Sequence, residues 1–313
     1  MGDLLTAVPA LRGLRCHFPE HRMVLATPAS LRELVQLTEA VDDLLPTPAL
    51  GSPRWSSLDW PSLDWSPPPP SVAVNLHGRG PQSTGALRAL QPTALLSHAH
   101  PEGPGPEWDS GLHEVRRWCR LLEYFGIFPD PADLALGRPQ APSPAPAAVI
   151  VHPGCGFPAR RWPLDQYATV AGRLAGTGLR VVVTGSAAER PLALRLAAAA
   201  GLSDDSVLAG RTSLSQLAAL VVDAALVICG DTGIAHLATA YGTPSVVLFG
   251  PVSPQIWGPP PARSQHVALW AGGTGDTFAD QPDPGLLRIT PAQVMDAAER
   301  LIGCHVEGRR SRW

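Results

Sequence analysis

The stretch Gly230-Asp231-Thr232-Gly233-Ile234-Ala235-His236 sits where an apolar run, Ala225 to Cys229, gives way to a helical pattern. Its glycines let a ligand approach the main chain closely, and the first turn of a helix offers unpaired N–H groups with a partial positive charge. Such a turn suits a diphosphate: Asp231, Thr232 and Gly233 at the helix start, and His236 one turn inside, facing the same pocket. The same residues also fit a capped helix with a core histidine, and spacing alone leaves both readings open.

Two further loops share this setting. His152-Pro153-Gly154-Cys155-Gly156-Phe157-Pro158-Ala159-Arg160-Arg161-Trp162 follows a strand pattern at Ala148 to His152 and precedes a helical one. A glycine-bearing loop with two guanidinium groups can hold a phosphate through charge-assisted hydrogen bonds; the plainer alternative is a solvated arginine pair. Gly185-Ser186-Ala187-Ala188-Glu189 ends another strand, and Glu189 either accepts from ribose hydroxyls or favours a helix N-terminus. Three strand-end loops of this kind in one domain weigh more than any one of them.

In the first half of the chain, Asp3 stands at the start of an apolar helix as a general base or as an N-cap. His77, Arg79, Gln82 and Ser83 form a polar cluster after a strand, and His113 and Arg117 share a helix face at i, i+4. Both sets fit acceptor binding or plain surface. The sequence contains no Asp-x-Asp, the carboxylate pair of a metal-bound nucleotide sugar, and no G-x-G-x-x-G, H-E-x-x-H or G-x-S-x-G.

The elements that must position these residues follow from periodicity. In the first half the pattern predicts a helix from Leu4, strands at Met23–Ala26 and Val72–Leu76, and helices at Leu31–Glu39 and His113–Phe125, the last closing on Gly126. Gly51 to Pro70, with Trp55, Trp60 and Trp65 among dense prolines, reads as a loop. Residues 138–147 read as a proline-rich linker. Beyond it, strands at Ala148–His152, Leu179–Thr184, Ala225–Cys229 and Ser245–Phe249 alternate with helices at Pro163–Gly176, Glu189–Ala200, Leu214–Val222 and Gly233–Tyr241. Continuous Val/Leu/Ile strands between helices predict a parallel sheet covered on both faces, with ligands at the carboxyl ends of the strands. A last helix, Pro291 to Ile302, precedes a tail, Arg309 to Trp313, that reads as frayed.

Composition excludes several classes. The 313 residues fit two α/β domains, and 45% hydrophobic with 16% charged residues marks a globular chain. A net charge of −3 gives no electrostatic footprint for nucleic acid. Arginine is the sole Lys/Arg-type base, and 35 prolines with 30 glycines point to a GC-rich genome. The five cysteines form no C-x-x-C pair, which fits a reducing cytoplasm. No signal peptide or transmembrane segment is evident, and a monomer is expected, cytoplasmic and compatible with peripheral contact at the inner face of the membrane.

Together these residues resemble glycosyltransferase family 9, the ADP-heptose:lipopolysaccharide heptosyltransferases, over nearly the whole chain. Gly2-Asp3-Leu4-Leu5-Thr6-Ala7-Val8-Pro9 is similar to the family's opening helix motif, and Gly230 to Ala238 with Gly242-Thr243-Pro244 and Phe249-Gly250-Pro251 is the most specific match. The resemblance implies an α/β, GT-B fold: two Rossmann-like domains facing a cleft, at 1–137 and 148–290, with 291–313 packing back on the first. It implies an inverting transfer without metal or other cofactor. The donor is a nucleotide diphosphate sugar, ADP-heptose or a GDP-sugar, and the acceptor a glycan or a natural product of the kind glycosylated in GC-rich Gram-positive organisms. Asp3 is implied as the base. His152, Gly154, Arg160, Arg161, Gly185, Ser186, Glu189, Thr212, Asp231, Thr232, Gly233 and His236 are implied on the donor side, with Arg161 and the helix start stabilising the leaving diphosphate. His77, Arg79, Gln82, Ser83, His113 and Arg117 are implied on the acceptor side. The family's pattern has a strand ahead of Gly2-Asp3, so a central strand of the first sheet is expected to be missing or replaced. A catalytically impaired nucleotide-sugar-binding partner, and a nucleotide-sugar hydrolase or epimerase, are the alternatives.

Overall fold

The computed structural model describes residues 1–47, 65–101 and 103–310, with side chains up to residue 303. Most of the expected tryptophan-bearing loop at 51–70, and the end of the expected tail, lie outside the described residues. The chain divides into two compact units, Asp3–Gly137 and Arg138–Trp313. No helix among the described residues is long and apolar enough to cross a membrane.

The first unit runs α1 (Gly2–Thr6), α2 (Val8–His17), β1 (Val24–Pro28), α3 (Arg32–Leu37), β2 (Asp43–Thr47), β3 (Val72–Val74), α4 (Gln82–Arg88), β4 (Ala94–Leu96) and α5 (Glu114–Tyr124). β1 pairs in parallel with β2 and β3 with β4, and no ladder joins the two pairs among the described residues. Ala7, Ala10 and Leu14 pack against Trp118, Leu121 and Leu122 of α5, so each helix turns one apolar stripe to the other. Asp3 is not an N-cap: Met1 holds that position and Asp3 lies in the first turn of α1, its carbonyl accepting from Thr6 Oγ1 at 3.1 Å. Pro9, which lacks an N–H, opens α2 as a separate helix after Ala7.

Three elements here were not expected. β2 contains Pro46, which a strand paired on one side tolerates. α4 is built from Gln-Ser-Thr-Gly-Ala-Leu-Arg, with weak helix formers in its middle. β4 has three residues, too few to show a period.

The second unit runs β5 (Val149–His152), α6 (Leu164–Gly176), β6 (Val181–Val183), α7 (Arg190–Ala199), α8 (Leu214–Asp223), β7 (Leu226–Gly230), α9 (Gly233–Tyr241), β8 (Ser245–Phe249), α10 (Pro254–Trp257), β9 (His266–Trp270), α11 (Pro284–Leu287) and α12 (Pro291–Arg310). Its strands form one five-stranded parallel sheet in the order β6-β5-β7-β8-β9. Every residue of β5 to β8 is buried, as the apolar runs predict for a sheet covered on both faces. The chain steps outward from β5 to β6, then returns to β7 on β5's other side. The topological switch therefore lies between β5 and β7, where a sheet of this kind opens a crevice at its carboxyl edge.

β9, at the sheet's edge and only partly covered, escapes the periodicity argument, as do the short α10 and α11. α12 extends to Arg310, past the expected Ile302, and Val294, Met295, Ala297, Ala298 and Leu301 enter the second unit's own core. The proline-rich segment 138–147 is docked: Ala145 is fully buried and the Ala147 N–H donates to Asp223 O at 2.9 Å.

Candidate functional site

β7 ends at Gly230 and α9 begins at Gly233, so Asp231 and Thr232 form the turn at the switch point. Thr232 is the N-cap residue, yet no side chain caps this helix. The first-turn N–H groups of α9 are therefore not taken up by the side chain of its N-cap residue. Asp231 is buried, its N–H donating to Leu248 O at 3.1 Å, which fixes the turn to β8. His236 is half-buried in the second turn of α9, edge-on to Trp257 with ring centroids 6.0 Å apart. At the far end Gly242 closes α9 in the left-handed conformation, φ 66°.

The loop after β5 wraps this turn, and its two arginines part company. Arg161 donates from Nε and Nη2 to its own loop's Cys155 carbonyl, at 3.0 and 2.8 Å. Arg160 instead sends Nη1 toward Asp231, 3.4 Å from its carbonyl and 3.7 Å from Oδ2, and its buried Nε has no hydrogen-bond partner. The cation beside the α9 turn is therefore Arg160, and Arg161 shapes the loop. Cys155 donates its thiol toward Asp231 O at 3.6 Å, and burial pushes that thiol's pKa up. Trp162 is buried, its indole N–H donating to Ile289 O at 2.9 Å.

His152 has its side-chain partner inside the sheet. It is buried with Nδ1 2.9 Å from Thr184 Oγ1, tying the end of β5 to the end of β6. Burial lowers its pKa, with the Glu189 carboxylate opposing. Glu189 accepts from both the N–H and the hydroxyl of Ser186, each at 2.8 Å, and lies directly over Gly154. Burial pushes its pKa up, but the Ser186 bonds and the nearby His152 and Arg161 outweigh this and hold the carboxylate below its ordinary range. A Cβ at Gly154 would meet that carboxylate, so the bare glycine lets Glu189 lie over the loop. The structure thus brings together Gly154, Arg160, Ser186, Glu189, Asp231, Thr232 and Gly233 at one edge of the sheet. Thr212 is half-buried just before Ser213, the N-cap of α8, whose capping box with Gln216 fixes that turn.

In the first unit the sequence missed Asn75. This buried side chain donates to Ser83 Oγ and Thr84 Oγ1, both at 3.0 Å, and accepts from the His77 N–H at 3.0 Å; Ser83 in turn donates to the His77 carbonyl at 2.8 Å. Both main-chain groups of His77 are held by side chains, so the turn before α4 is rigid and presents the exposed His77, Arg79 and Gln82. Ser83 is a buried part of that brace. An asparagine closing an apolar Val-Ala-Val strand was the available signal. Neighbouring atoms displace part of the water around the His77 ring and lower its pKa although the residue reaches solvent, and the Asp3 carboxylate is near enough to oppose the shift.

Arg117 also has an internal task. It is buried, paired with Glu114, lies 4.4 Å over the Trp108 ring and donates to the carbonyls of Asp109, Ser110 and Leu112. His113 is the N-cap of α5, accepting from Val115 N at 3.2 Å, rather than a residue sharing a helix face with Arg117.

Comparison with known proteins fits this arrangement. Lipopolysaccharide heptosyltransferase 2 of Salmonella typhimurium is 33% identical over 158 residues, covering 48% of this chain and 45% of that protein. Lipopolysaccharide heptosyltransferase 1 of Pseudomonas aeruginosa is 37% identical over 155 residues, covering 47% and 42%. The chain spans about half the length of the relatives it matches. In fold it is similar to the glycosyl transferase family 9 structure from Veillonella parvula, with TM-score 0.72, 18% identity and coverage of 96% of this chain and 94% of that one. It is also similar to the E. coli ADP-heptose lipopolysaccharide heptosyltransferase II, with TM-score 0.68, 20% identity and coverage of 97% and 96%. The architecture is that of the GT-B fold. The family model of glycosyltransferase family 9 (heptosyltransferase) matches residues 109–281, over half of the chain and including all three strand-end loops, and the chain belongs to this family.

Proposed function

We propose that the protein transfers a sugar, a heptose or a related hexose, from a nucleotide diphosphate donor to a hydroxyl of a glycan or natural-product acceptor. The observation that carries this is the pairing of the uncapped α9 N-terminus with Arg160 at the switch point. A diphosphate there meets a helix dipole and a guanidinium that never loses its charge. In this reading Glu189, whose carboxylate Ser186 holds, accepts from ribose hydroxyls one strand further out, which its lowered pKa supports. The family's relatives named as heptosyltransferases support the same class of reaction.

In this reading the bond between the anomeric carbon and the donor's terminal phosphate breaks as the acceptor oxygen attacks the opposite face, inverting the centre. Asp3 takes the acceptor's proton. Arg160 and the α9 N-terminus take up the charge of the leaving diphosphate, so that no metal is needed. His236 orients the phosphate. His77, Arg79 and Gln82 face the acceptor, with Asn75, Ser83 and Arg117 bracing the segments that carry them. A monomer at the cytoplasmic face of the membrane completes the proposal.

The test is a thermal-shift panel of ADP-, GDP-, UDP- and TDP-sugars, followed by transfer assays with the best binder. Asp3→Ala is expected to abolish transfer while leaving donor binding near wild type. Unchanged transfer in that variant would remove Asp3 from the mechanism, and a panel without any shift would remove the donor site.

A further inference from the structure

One exposed aromatic shelf has no task so far. Phe278, in the loop after β9, is 67% exposed, and its ring meets Phe157 of the loop after β5 edge-on, with centroids 4.8 Å apart and planes at 88°. An apolar ring this open on a loose loop would be unremarkable, but this loop is pinned. Ala159 N–H donates to Ala279 O and Asp283 N–H to Ala159 O, both at 3.1 Å. Gly275 N–H donates to Pro251 O at 3.0 Å, and Asp276 Oδ1 accepts from Phe278's own N–H at 2.9 Å. A Cβ on Gly250 would meet Asp283, Leu286 and Ala159 O, so the loops after β5, β8 and β9 converge there. The Arg160 guanidinium lies 5.9 Å from the Phe157 ring centroid. One arginine therefore borders both the α9 turn and the shelf.

The strand order gives this edge a direction. Across the sheet, β6 carries Ser186 and Glu189, β5 and β7 carry Arg160 and Asp231–Gly233, and β8 and β9 carry Gly250 and the Phe278 loop. A nucleotide sugar has the same linear order of parts: nucleoside, diphosphate, glycosyl group. With ribose at Glu189 and phosphates at the switch point, the glycosyl group falls on the β8–β9 side. A pyranose presents a face of C–H groups that packs on an aromatic ring, while its hydroxyls remain free for polar partners.

We infer that Phe278 and Phe157 form the subsite for the transferred sugar ring of the donor. This rests on the donor reading proposed above. The subsite selects for the sugar and leaves the nucleoside diphosphate portion to Arg160, α9 and Glu189.

The experiment compares binding of ADP with ADP-heptose, and of GDP with GDP-mannose, by isothermal titration of the full chain and its Phe278→Ala, Phe278→Tyr and Phe157→Ala variants. Phe278→Ala is expected to weaken the nucleotide sugar by about threefold to tenfold, the size of an aromatic packing contact. It should leave the matching nucleoside diphosphate unchanged, and Phe278→Tyr should restore sugar binding. Equal weakening of diphosphate and sugar nucleotide in Phe278→Ala would overturn the inference, because the ring would then pack on the base. No change in either ligand would overturn it as well. If the unmodified chain binds none of the four, the donor reading itself fails and the subsite falls with it. That outcome is distinct, because the first two require a donor that binds.

Discussion

Arg160 and Arg161 are adjacent, yet only Arg160 turns its guanidinium to Asp231. Arg160→Gln should weaken nucleoside diphosphate binding by about tenfold to a hundredfold, the worth of one charge-assisted hydrogen bond, measured by titration calorimetry. Arg161→Gln should act on the loop instead, lowering stability by about 1 kcal/mol in urea unfolding with a smaller loss of affinity. Sequence could not separate the two, because which arginine folds back depends on the curl of the loop at Cys155 O.

His266 supports a second prediction at this scale. It is buried with Nδ1 2.9 Å from Ser245 Oγ, and burial, with Arg263 adding to it, lowers its pKa from 6.5 to about 4. Between those values the unfolded chain binds a proton that the folded chain refuses. This contribution to stability is therefore full above pH 6.5 and is lost as pH falls toward 4, by up to roughly 3 kcal/mol. A urea-denaturation series across that range should show the loss, and His266→Gln should flatten it.

At the scale of elements, the site depends on turns that place main chain rather than side chains. Gly154→Ala puts a methyl group where the Glu189 carboxylate lies. The flexible acid can swing away, so the variant should fold with near-normal stability yet bind nucleotide about tenfold more weakly, having lost the Ser186-held carboxylate. Urea unfolding read beside calorimetry checks both halves of that statement. Asn75→Ala should behave oppositely. It strips Ser83, Thr84 and the His77 turn of a shared buried partner and should cost about 1–3 kcal/mol of stability, with the loss of order at His77 visible by NMR.

Much of the second unit was legible because the strands β5 to β8 are nearly continuous apolar runs and α6, α7, α8 and α9 each follow a glycine-bearing turn. α9 and β8 match their expected bounds residue for residue. The first unit was harder to read. Its strands are short and half covered, Pro46 interrupts one of them, and α4 hides among Ser, Thr and Gly. Asn75 and Phe278 escaped notice for a different reason: Asn75 reaches forward to Ser83 and Thr84 in α4 and Phe278 to Phe157 on another loop, and a pattern along the chain does not record contacts between elements.

At the scale of the molecule, the two units differ in construction. Among the described residues the first has two parallel pairs that no ladder joins, with β3 and β4 packed near α2 and α5; the second has a continuous sheet whose strands β5 to β8 are buried on both faces. Bound nucleotide should therefore raise the stability of the second unit, by about 2.7 kcal/mol at a hundredfold excess over Kd. Hydrogen exchange should report this as added protection at residues 154–161, 185–189 and 231–236. Protection confined to residues 3–137 would contradict the assignment of the donor to the second unit.

The order β6-β5-β7-β8-β9 has one more consequence. Each part of the donor falls to a different loop, and the buried Val, Leu and Ile side chains of the strands beneath serve only as ballast. The edge therefore behaves as a keyboard on a fixed frame. Transplanting the 185–189 loop from a relative whose donor carries a deoxyribose should retune the choice of ribose, and transplanting 272–280 should retune the sugar, each without the other and without disturbing the frame.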